Sequence, residues 1–544
     1  MDTVTYKVDP LHPDEDIIAR CAEVIRKGGL VAFPTETVYG LGANALDPEA
    51  VARIFEAKGR PQDNPLIVHV SRLESVEPLV KEISPRAATL MQTFWPGPLT
   101  LLFPRSDAVP DIVTANLPNA AIRMPDHPVA QQLIDACGVP LAAPSANKSG
   151  RPSPTSAMDV LADLDGKVDI ILDAGPTDIG VESTVLDVSG DIPTILRPGG
   201  IAREDIEAAL GTRYVNNAAV VHDCCKAGFR SDEAAPSPGM KYRHYAPKAD
   251  MYLAAGCLLE QRQKIMFFAM KLALSGTKVV VLASKENLPF YNQIRQVFPE
   301  GAFQAIMLGS RDDLSPVAAR LYSSLRRAEE LGARVILTET FNLKGLGLAI
   351  SNRLEKASGG RKLPGLGFGL ESEQPGREIS VDLPVEPLKI VMVCTGNTCR
   401  SPMAEGLFRR LWKDAGEPFP VEVKSRGVAT VPGLPASKEA IQAMTNKGVD
   451  ISTHLSEPIS SRDMAEADLV IAMTSAHKQM LLSRYSEFRH KIRILSELLP
   501  GVLSGDVTDP FGQSQAVYDD TSDILEKSLR ILAVALAGCL PVLR

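Results

Sequence analysis

Near the end of this chain a cysteine, five further residues and an Arg-Ser pair stand between an apolar run and a helical one. LKIVMV leads into Cys394-Thr395-Gly396-Asn397-Thr398-Cys399-Arg400-Ser401-Pro402, and MAEGLFRRLW follows. Such a loop, at a strand end and a helix start, can turn its backbone N–H groups into a concave nest, where the helix adds positive potential. The chemistry it suits is phosphate binding. Gly396 relieves the sterics of a tight cradle, and Arg400 can grip two phosphoryl oxygens as lysine could not. The same field stabilises a thiolate at Cys394, so this residue is the expected nucleophile for a phosphocysteine intermediate, with Ser401 bonding the departing sulfur. A leaving group needs an acid, and VTDPFGQS supplies Asp509 in a Pro/Gly loop. The plain alternative is a buried structural cysteine before a helix cap.

A second, more scattered set lies near the start. GGLVAFPTETVYGLGANA places Thr35 and Thr37 in a turn after a strand, and EAKGRPQDNPLIVHV places Lys58, Arg60 and Asn64 in a loop before a strand ending near His69. Lysine and arginine flanking a glycine could bind polyphosphate, though solvated loops of that composition are common. AAIRMPDHP adds Arg123, and PLAAPSANKSGRPSPT adds Ser145, Asn147, Ser149, Arg151 and Ser153. GVESTVLDV adds Ser183 and Thr184, and ILRPGGI adds Arg197. Small polar side chains spread over several strand ends suit a nucleotide and a small polar metabolite. Neither a GxxxxGKS nor a GxGxxG string is present, so no P-loop or dinucleotide-binding turn is expected.

The elements that must carry these residues alternate in type. Strand-like runs (GGLVAFPT, PLIVHV, VDIILDA, KVVVLAS, ARVILTE, LKIVMVC) alternate with helical patterns, which argues for α/β domains. Two stretches break the alternation. Residues 213–247 end in SPGMKYRHYAP, richer in Tyr, Arg and His than a tether needs, and 358–387 read as a Gly/Pro linker. With 544 residues the chain exceeds one core, and 45% apolar with 23% charged residues is ordinary globular composition. A net charge of −8 disfavours a coat of basic charge for nucleic acid. The acidic N-terminus carries no secretory h-region, and the terminal run ILAVALAGCLPVL is too short to span a bilayer, reading instead as a packed helix. Eight cysteines in this length make no disulfide scaffold, and the Cys224–Cys225 pair lacks a second pair at zinc spacing. A reducing cytoplasm is expected.

The cysteine loop, with Asp509, SRGVAT (Ser425 to Thr430) and ADLVIAMTSAHK (Ala467 to Lys478), resembles the low-molecular-weight protein tyrosine phosphatase family over 388–544. The resemblance implies Cys394 as nucleophile, Arg400 as phosphate clamp and Asp509 as acid and base. It further implies that Thr395 to Ser401 form the phosphate loop, that Asn397 and Ser401 order it, and that Cys399 protects Cys394 through a reversible disulfide. His454-Leu455-Ser456-Glu457 departs from the family's His-Arg-Ser-Arg. Thr398, and Phe511 followed by Gly512, make the loop look more like the protein-arginine phosphatases of the family, so phosphoarginine is placed ahead of phosphotyrosine. Arsenate reductase would need further redox cysteines, and after Cys399 only Cys539 remains.

The N-terminal strings, recurring in order over 15–212, resemble the threonylcarbamoyl-AMP synthase family with its YrdC-type catalytic domain. SPGMKYRHYAP, RLYSSLRRAEELGARVILTE and GLGLAISNRLEKAS extend the likeness to its two-domain members. The reaction implied converts L-threonine, bicarbonate and ATP to threonylcarbamoyl-AMP and pyrophosphate, other proteins then modifying tRNA. Thr37, His69, Arg123, Ala143 and Ser183 would surround threonine. Lys58, Arg60, Asn64, Asn119, Ser145, Ser153, Arg197 and His244 would surround ATP, Lys58 on its phosphates, and Tyr242, His244 or Tyr245 would close over it. Magnesium is the expected companion of ATP; no metal ligand is assigned in the protein, and the phosphatase needs no cofactor.

The expected fold is therefore α/β multidomain: a YrdC-type twisted mixed sheet (1–212), a lid (213–247), a small Rossmann-like α/β domain (248–356), a linker (357–387) and a doubly wound parallel-sheet phosphatase domain (388–544). Partners would be the substrates, a phosphorylated protein and the tRNA-transfer machinery, with no membrane and no DNA. The competing reading makes the first part an RNA-binding module and the last a phosphate sensor without catalysis.

Overall fold

A computed structural model describes residues 2–212, 215–217, 244–366, 385–499 and 503–538. Cys224, Cys225, Tyr242 and Cys539, and most of SPGMKYRHYAP, lie outside the described residues. The chain forms two compact units. The first comprises residues 1–248, 308–331 and 341–360, and the second 249–307, 332–340 and 361–544.

The first unit is built on an eleven-stranded mixed sheet. Its strands are β1 (Val4–Lys7), β2 (Val31–Phe33), β3 (Gly40–Asn44), β4 (Ile67–His69), β5 (Leu99–Pro104), β6 (Asn119–Arg123), β7 (Leu141–Ala142), β8 (Ile170–Asp173), β9 (Thr184–Asp187), β10 (Thr194–Arg197) and β11 (Asn216–Asn217). The spatial order is β1-β8-β2-β3-β7-β4-β6-β5-β9-β10-β11. β2, β4 and β5 are largely buried apolar runs, as strands covered on both faces must be. Register carries chemistry to common levels: His69 sits opposite Arg123 across the parallel β4–β6 pair, and Arg123 opposite Thr100 on β5. The Pro48–Lys58 helix starts on an Asp47 cap that accepts from the Glu49 and Ala50 N–H groups, and it stops at Gly59 in the left-handed region (φ 60°). Those two signals fix Lys58 on the last turn and Arg60 just past it.

Two helices from later in the chain, Ser315–Glu330 and Gly347–Ser358, belong to this first unit. The first lies so close to Gly180 that a Cβ there would stand 2.4 Å from the Ala319 Cα. Arg326 is buried and ion-paired to Asp163 at 2.8 Å, and Arg151 to Glu329 at 2.6 Å.

The second unit holds two four-stranded sheets. One runs β12-β15-β13-β14, with β12 (Asp250–Ala254), β13 (Val279–Ser284), β14 (Phe303–Gly309) and β15 (Val335–Glu339); β12 and β13 pair parallel with β15. The 248–356 segment thus contributes strands to one unit and two helices to the other. The second sheet runs β17-β16-β18-β19, with β16 (Leu388–Cys394), β17 (Val421–Gly427), β18 (Leu469–Ala472) and β19 (Ile492–Ile494), all parallel. The sheets share one apolar core. The Leu258–Leu274 helix explains why: Ile265 to Met270 are all buried, and a helix apolar all round needs covering on both sides. It packs on β12, β13 and β15, while Phe267 meets Phe419 at 5.1 Å and Lys271 pairs with Asp468 at 2.9 Å. The start of the terminal apolar run, Ile531 to Leu536, closes a helix, Gln515–Leu536, packed on Arg400–Asp414. Among the described residues no helix is long and apolar enough to cross a membrane.

Candidate active sites

In the first unit a cleft opens over the ends of these strands. Its lining includes Thr37, His69, Arg123, Ala143 and Ser183 from the threonine set, and Arg60, Ser145, Ser153, Arg197 and His244 from the ATP set. Thr37 comes from the β2–β3 turn, where its Oγ1 lies 2.8 Å from Thr35 Oγ1 and accepts from Arg123 at 3.0 Å. Arg123 also pairs with buried Glu36 at 2.6 Å. His69 Nδ1 donates to the Ile67 carbonyl at 3.2 Å, which leaves Nε2 as an acceptor. Burial and the Arg123 charge push its pKa down to about 3, so the ring is neutral at neutral pH. Arg197, ending β10, donates to the Ser183 carbonyl and hydroxyl at 3.0 and 3.1 Å. His244 is pushed down to about 3 by burial and by Arg60. Half-buried Arg60, donating to the Asn64 and Pro65 carbonyls, and buried Arg197 put positive charge beside small hydroxyls, an arrangement that favours phosphate oxygens.

Three expected ligand residues fall outside the lining. Lys58 is fully buried, and its ammonium donates to the Ser145 and Asn147 carbonyls, so it holds the Ser145–Asn147 loop. The sequence showed a cation beside glycine; the helix stop at Gly59 turns that cation inward. Asn64 is buried with neither amide atom hydrogen-bonded, next to lining residue Pro65. Asn119 opens β6 opposite Pro104.

Sequence reasoning missed Glu182. It lines the cleft, fully buried, accepting from Ser153 Oγ at 2.6 Å, from Tyr322 at 3.0 Å and from Arg353 at 2.8 Å. Burial alone would raise its pKa; Arg353 and Arg197 outweigh that and hold it at about 2. The signal was a carboxylate opening the buried stretch Glu182 to Leu186, and an arginine on the apolar stripe Ile350–Leu354–Ala357.

In the second unit Cys394 ends β16, whose neighbours β17 and β18 lie on opposite sides. This is the topological switch point where α/β sheets bind ligands. Cys394 Sγ lies 3.0 Å from Ser401 Oγ. Asn397, at φ 53°, donates to Ser401 and Ser425, both at 3.0 Å, while its own carbonyl and amide oxygen accept from His454 and the Glu457 N–H. The Arg400–Asp414 helix points its N-terminus at the loop. Arg400 is buried, donating to the Val507 carbonyl at 3.2 Å and to Asp509 Oδ2 at 2.6 Å; half-exposed Asp509 therefore stands over the loop. His477, unassigned from sequence, lies 2.8 Å from both Thr395 and Thr474 hydroxyls, its pKa lowered to about 4 by burial and Arg400. Cys399 Sγ lies 3.2 Å from the Tyr518 hydroxyl; both loop cysteines are free thiols. In the departing string, Ser456 anchors the Val431 carbonyl, Leu455 is exposed and Glu457 pairs with Arg426.

The first cleft is that of a nucleotide-using enzyme without a P-loop, and the second loop is that of a cysteine-dependent phosphatase. Comparison with known proteins agrees. Residues 23–199 match the family described as "Telomere recombination", 201–359 the threonylcarbamoyl-AMP synthase C-terminal domain, and 389–538 the low molecular weight phosphotyrosine protein phosphatase family. The threonylcarbamoyl-AMP synthase of Bacillus subtilis is 47% identical over 354 residues, 65% of this chain and 96% of that protein. The protein-arginine-phosphatase of B. subtilis is 44% identical over 146 residues, 27% of this chain and 95% of that protein. A crystal structure of a P. abyssi protein complexed with L-threonine superposes with a TM-score of 0.59 at 45% identity, covering 67% of this chain and 99% of that one. The chain belongs to the threonylcarbamoyl-AMP synthase family and, in its last part, to the low-molecular-weight phosphotyrosine protein phosphatase family, and it carries both enzyme classes.

Proposed function

We propose that the first unit joins L-threonine, bicarbonate and ATP into threonylcarbamoyl-AMP for tRNA modification, and that the C-terminal part hydrolyses protein phosphoarginine. In this reading 1–212 is the catalytic domain, 213–247 its lid, 248–356 its companion and 388–544 the phosphatase, working in the cytoplasm. The observation that carries the synthase is the convergence on one cleft of residues spread from Thr37 to His244. Neutral His69 offers Nε2 to the threonine amine, and Arg123 with Thr37 holds its carboxylate. The amine takes up carbon from bicarbonate to give a carbamate, with loss of water. A carbamate oxygen then attacks the α-phosphorus of ATP, the bond to the bridging oxygen breaks, and pyrophosphate leaves with the electron pair. Arg60, Arg197 and the hydroxyls of Ser145 and Ser153 stabilise the crowded charge. No protein nucleophile takes part; catalysis is alignment and charge stabilisation. Magnesium is counted with the ATP substrate.

In the phosphatase, incoming phosphate takes the Arg400 guanidinium and so releases Asp509 from its ion pair, and the freed carboxylate takes up a proton from solvent. The Cys394 thiolate attacks phosphorus, the P–N bond breaks, and the guanidine leaves with the electron pair and a proton from Asp509. The Asp509 carboxylate then takes a proton from water, which attacks phosphocysteine to release inorganic phosphate and the thiolate. Thr398 and the B. subtilis relative support phosphoarginine; Phe511, exposed beside Asp509, offers a wall for the second reading, phosphotyrosine. The tests are direct. Pyrophosphate release from ATP must require both threonine and bicarbonate, and phosphoarginine must turn over faster than phosphotyrosine. Release without threonine, or the reverse substrate preference, refutes the respective half.

A further inference from the structure

A buried carboxylate is an awkward neighbour for a triphosphate, yet Glu182 lines the cleft between Ser153 and Arg197. Left alone it would repel ATP and take Arg197 for itself. Two residues from far along the chain prevent this. Tyr322, on the Ser315–Glu330 helix, donates its hydroxyl to Glu182, 3.0 Å from either oxygen. Arg353, on the Gly347–Ser358 helix and 1% exposed, donates Nε to Glu182 at 2.8 Å and Nη1 to the Pro198 carbonyl, next to Arg197, at 2.8 Å. The same pair holds the lid end. The Tyr322 ring stacks on Tyr245 at 5.4 Å, and the Arg353 guanidinium lies 5.3 Å from the Tyr245 ring. Tyr245 has φ 64°, a left-handed conformation a tyrosine keeps only when its surroundings impose it.

We propose that Tyr322 and Arg353 are positioning residues of the nucleotide pocket: they hold and neutralise Glu182, aim it at Ser153, keep it from pairing with Arg197 and clamp Tyr245 against the cleft. This deepens the synthase reading and rests on it. The two helices after the lid then complete the ATP side of the site, while the threonine side, Thr37, His69 and Arg123, draws its contacts from elsewhere.

The test is steady-state pyrophosphate release by the full chain, varying ATP at saturating threonine and bicarbonate, then threonine at saturating ATP. Tyr322→Phe keeps the stack on Tyr245 and removes one hydroxyl. It is expected to raise KM for ATP about tenfold, as for one lost charge-assisted hydrogen bond, with KM for threonine within about twofold. Arg353→Gln is expected to raise KM for ATP further, and Arg353→Gln/Glu182→Gln, which removes the carboxylate needing neutralisation, to recover part of that loss. Variants that lower kcat with both KM values unchanged, or raise both KM values alike, overturn the positioning role, as does a double variant worse than Arg353→Gln. If Arg353→Gln does not fold, Tyr322→Phe alone decides. A wild-type chain without threonine-dependent release overturns the synthase reading itself; an active wild type with unshifted variants overturns only this inference.

Discussion

The two sites reach phosphate chemistry by opposite routes. The phosphatase loop takes nucleophile, clamp and cradle from eight consecutive residues, Cys394 to Ser401, and adds only Asp509. The synthase cleft takes one or two residues from each of many strand ends, and its charge balance closes through a hydrogen bond between residues 171 positions apart. A loop needs a covalent nucleophile held against one phosphorus, which a single turn can do. Aligning three substrates without covalent chemistry needs a large concave surface, which only distant segments can provide. Damage should therefore be abrupt in the first case and graded in the second.

The sharpest way to break this contrast is Cys394→Ser. It is expected to lower phosphomonoester and phosphoarginine hydrolysis roughly 10⁴-fold or more, because the covalent step has no substitute. Threonine-dependent pyrophosphate release should stay within about twofold. A joint fall of both activities would end the idea of separate chemistry. Next in size is Phe267→Ala. This ring lies over a hundred residues before the phosphatase loop, yet it packs on Phe419 within a shared core. Truncation should cost about 3–5 kcal/mol, read as a lower temperature for half-inactivation of phosphatase activity. An unchanged value would mean that the phosphatase folds without the preceding sheet.

These outcomes bear on how much the sequence disclosed. The cysteine loop was legible because its parts are contiguous, and the parallel α/β pattern because β18 is a continuous apolar run and β16 one broken only by Lys389. The eleven-stranded order was not: β7 and β11 are two residues long, too short for any periodicity. Most cleft residues were found as hydroxyls and arginines at strand ends. That the Lys58 ammonium is held by the Ser145 and Asn147 carbonyls was not legible, because those partners lie nearly ninety positions away. Glu182, Tyr322 and Arg353 were quoted within motifs but given no role, since each makes sense only beside the others, and no local rule pairs residues 140 or more positions apart.

Asp509→Asn sharpens the contrast from the phosphatase side. The amide can still meet Arg400 but cannot deliver a proton. Turnover is expected to fall about 10²–10³-fold, most steeply for substrates with poor leaving groups, and stability to change little at a half-exposed site. Equal losses for good and poor leaving groups would remove Asp509 from the acid role.

The smallest expected effect probes the synthase side by pH. Glu182 is held at about 2, below the ordinary carboxylate value of 4.5. A carboxyl depressed on folding stabilises above its unfolded pKa and loses that contribution as pH falls through the folded one. Relative to Glu182→Gln, the wild-type chain should be more stable at pH 7. The gap should begin to close near pH 4.5 and be lost toward pH 2, as followed by urea unfolding of the first unit at stepped pH. His69 works against the trend: held neutral down to about 3, it costs stability as pH falls below 6.5. It is present in both chains, so the difference between them isolates Glu182. A gap independent of pH would mean that the carboxylate is not the charge that Tyr322 and Arg353 are built to hold, and the graded character of the synthase cleft would need another origin.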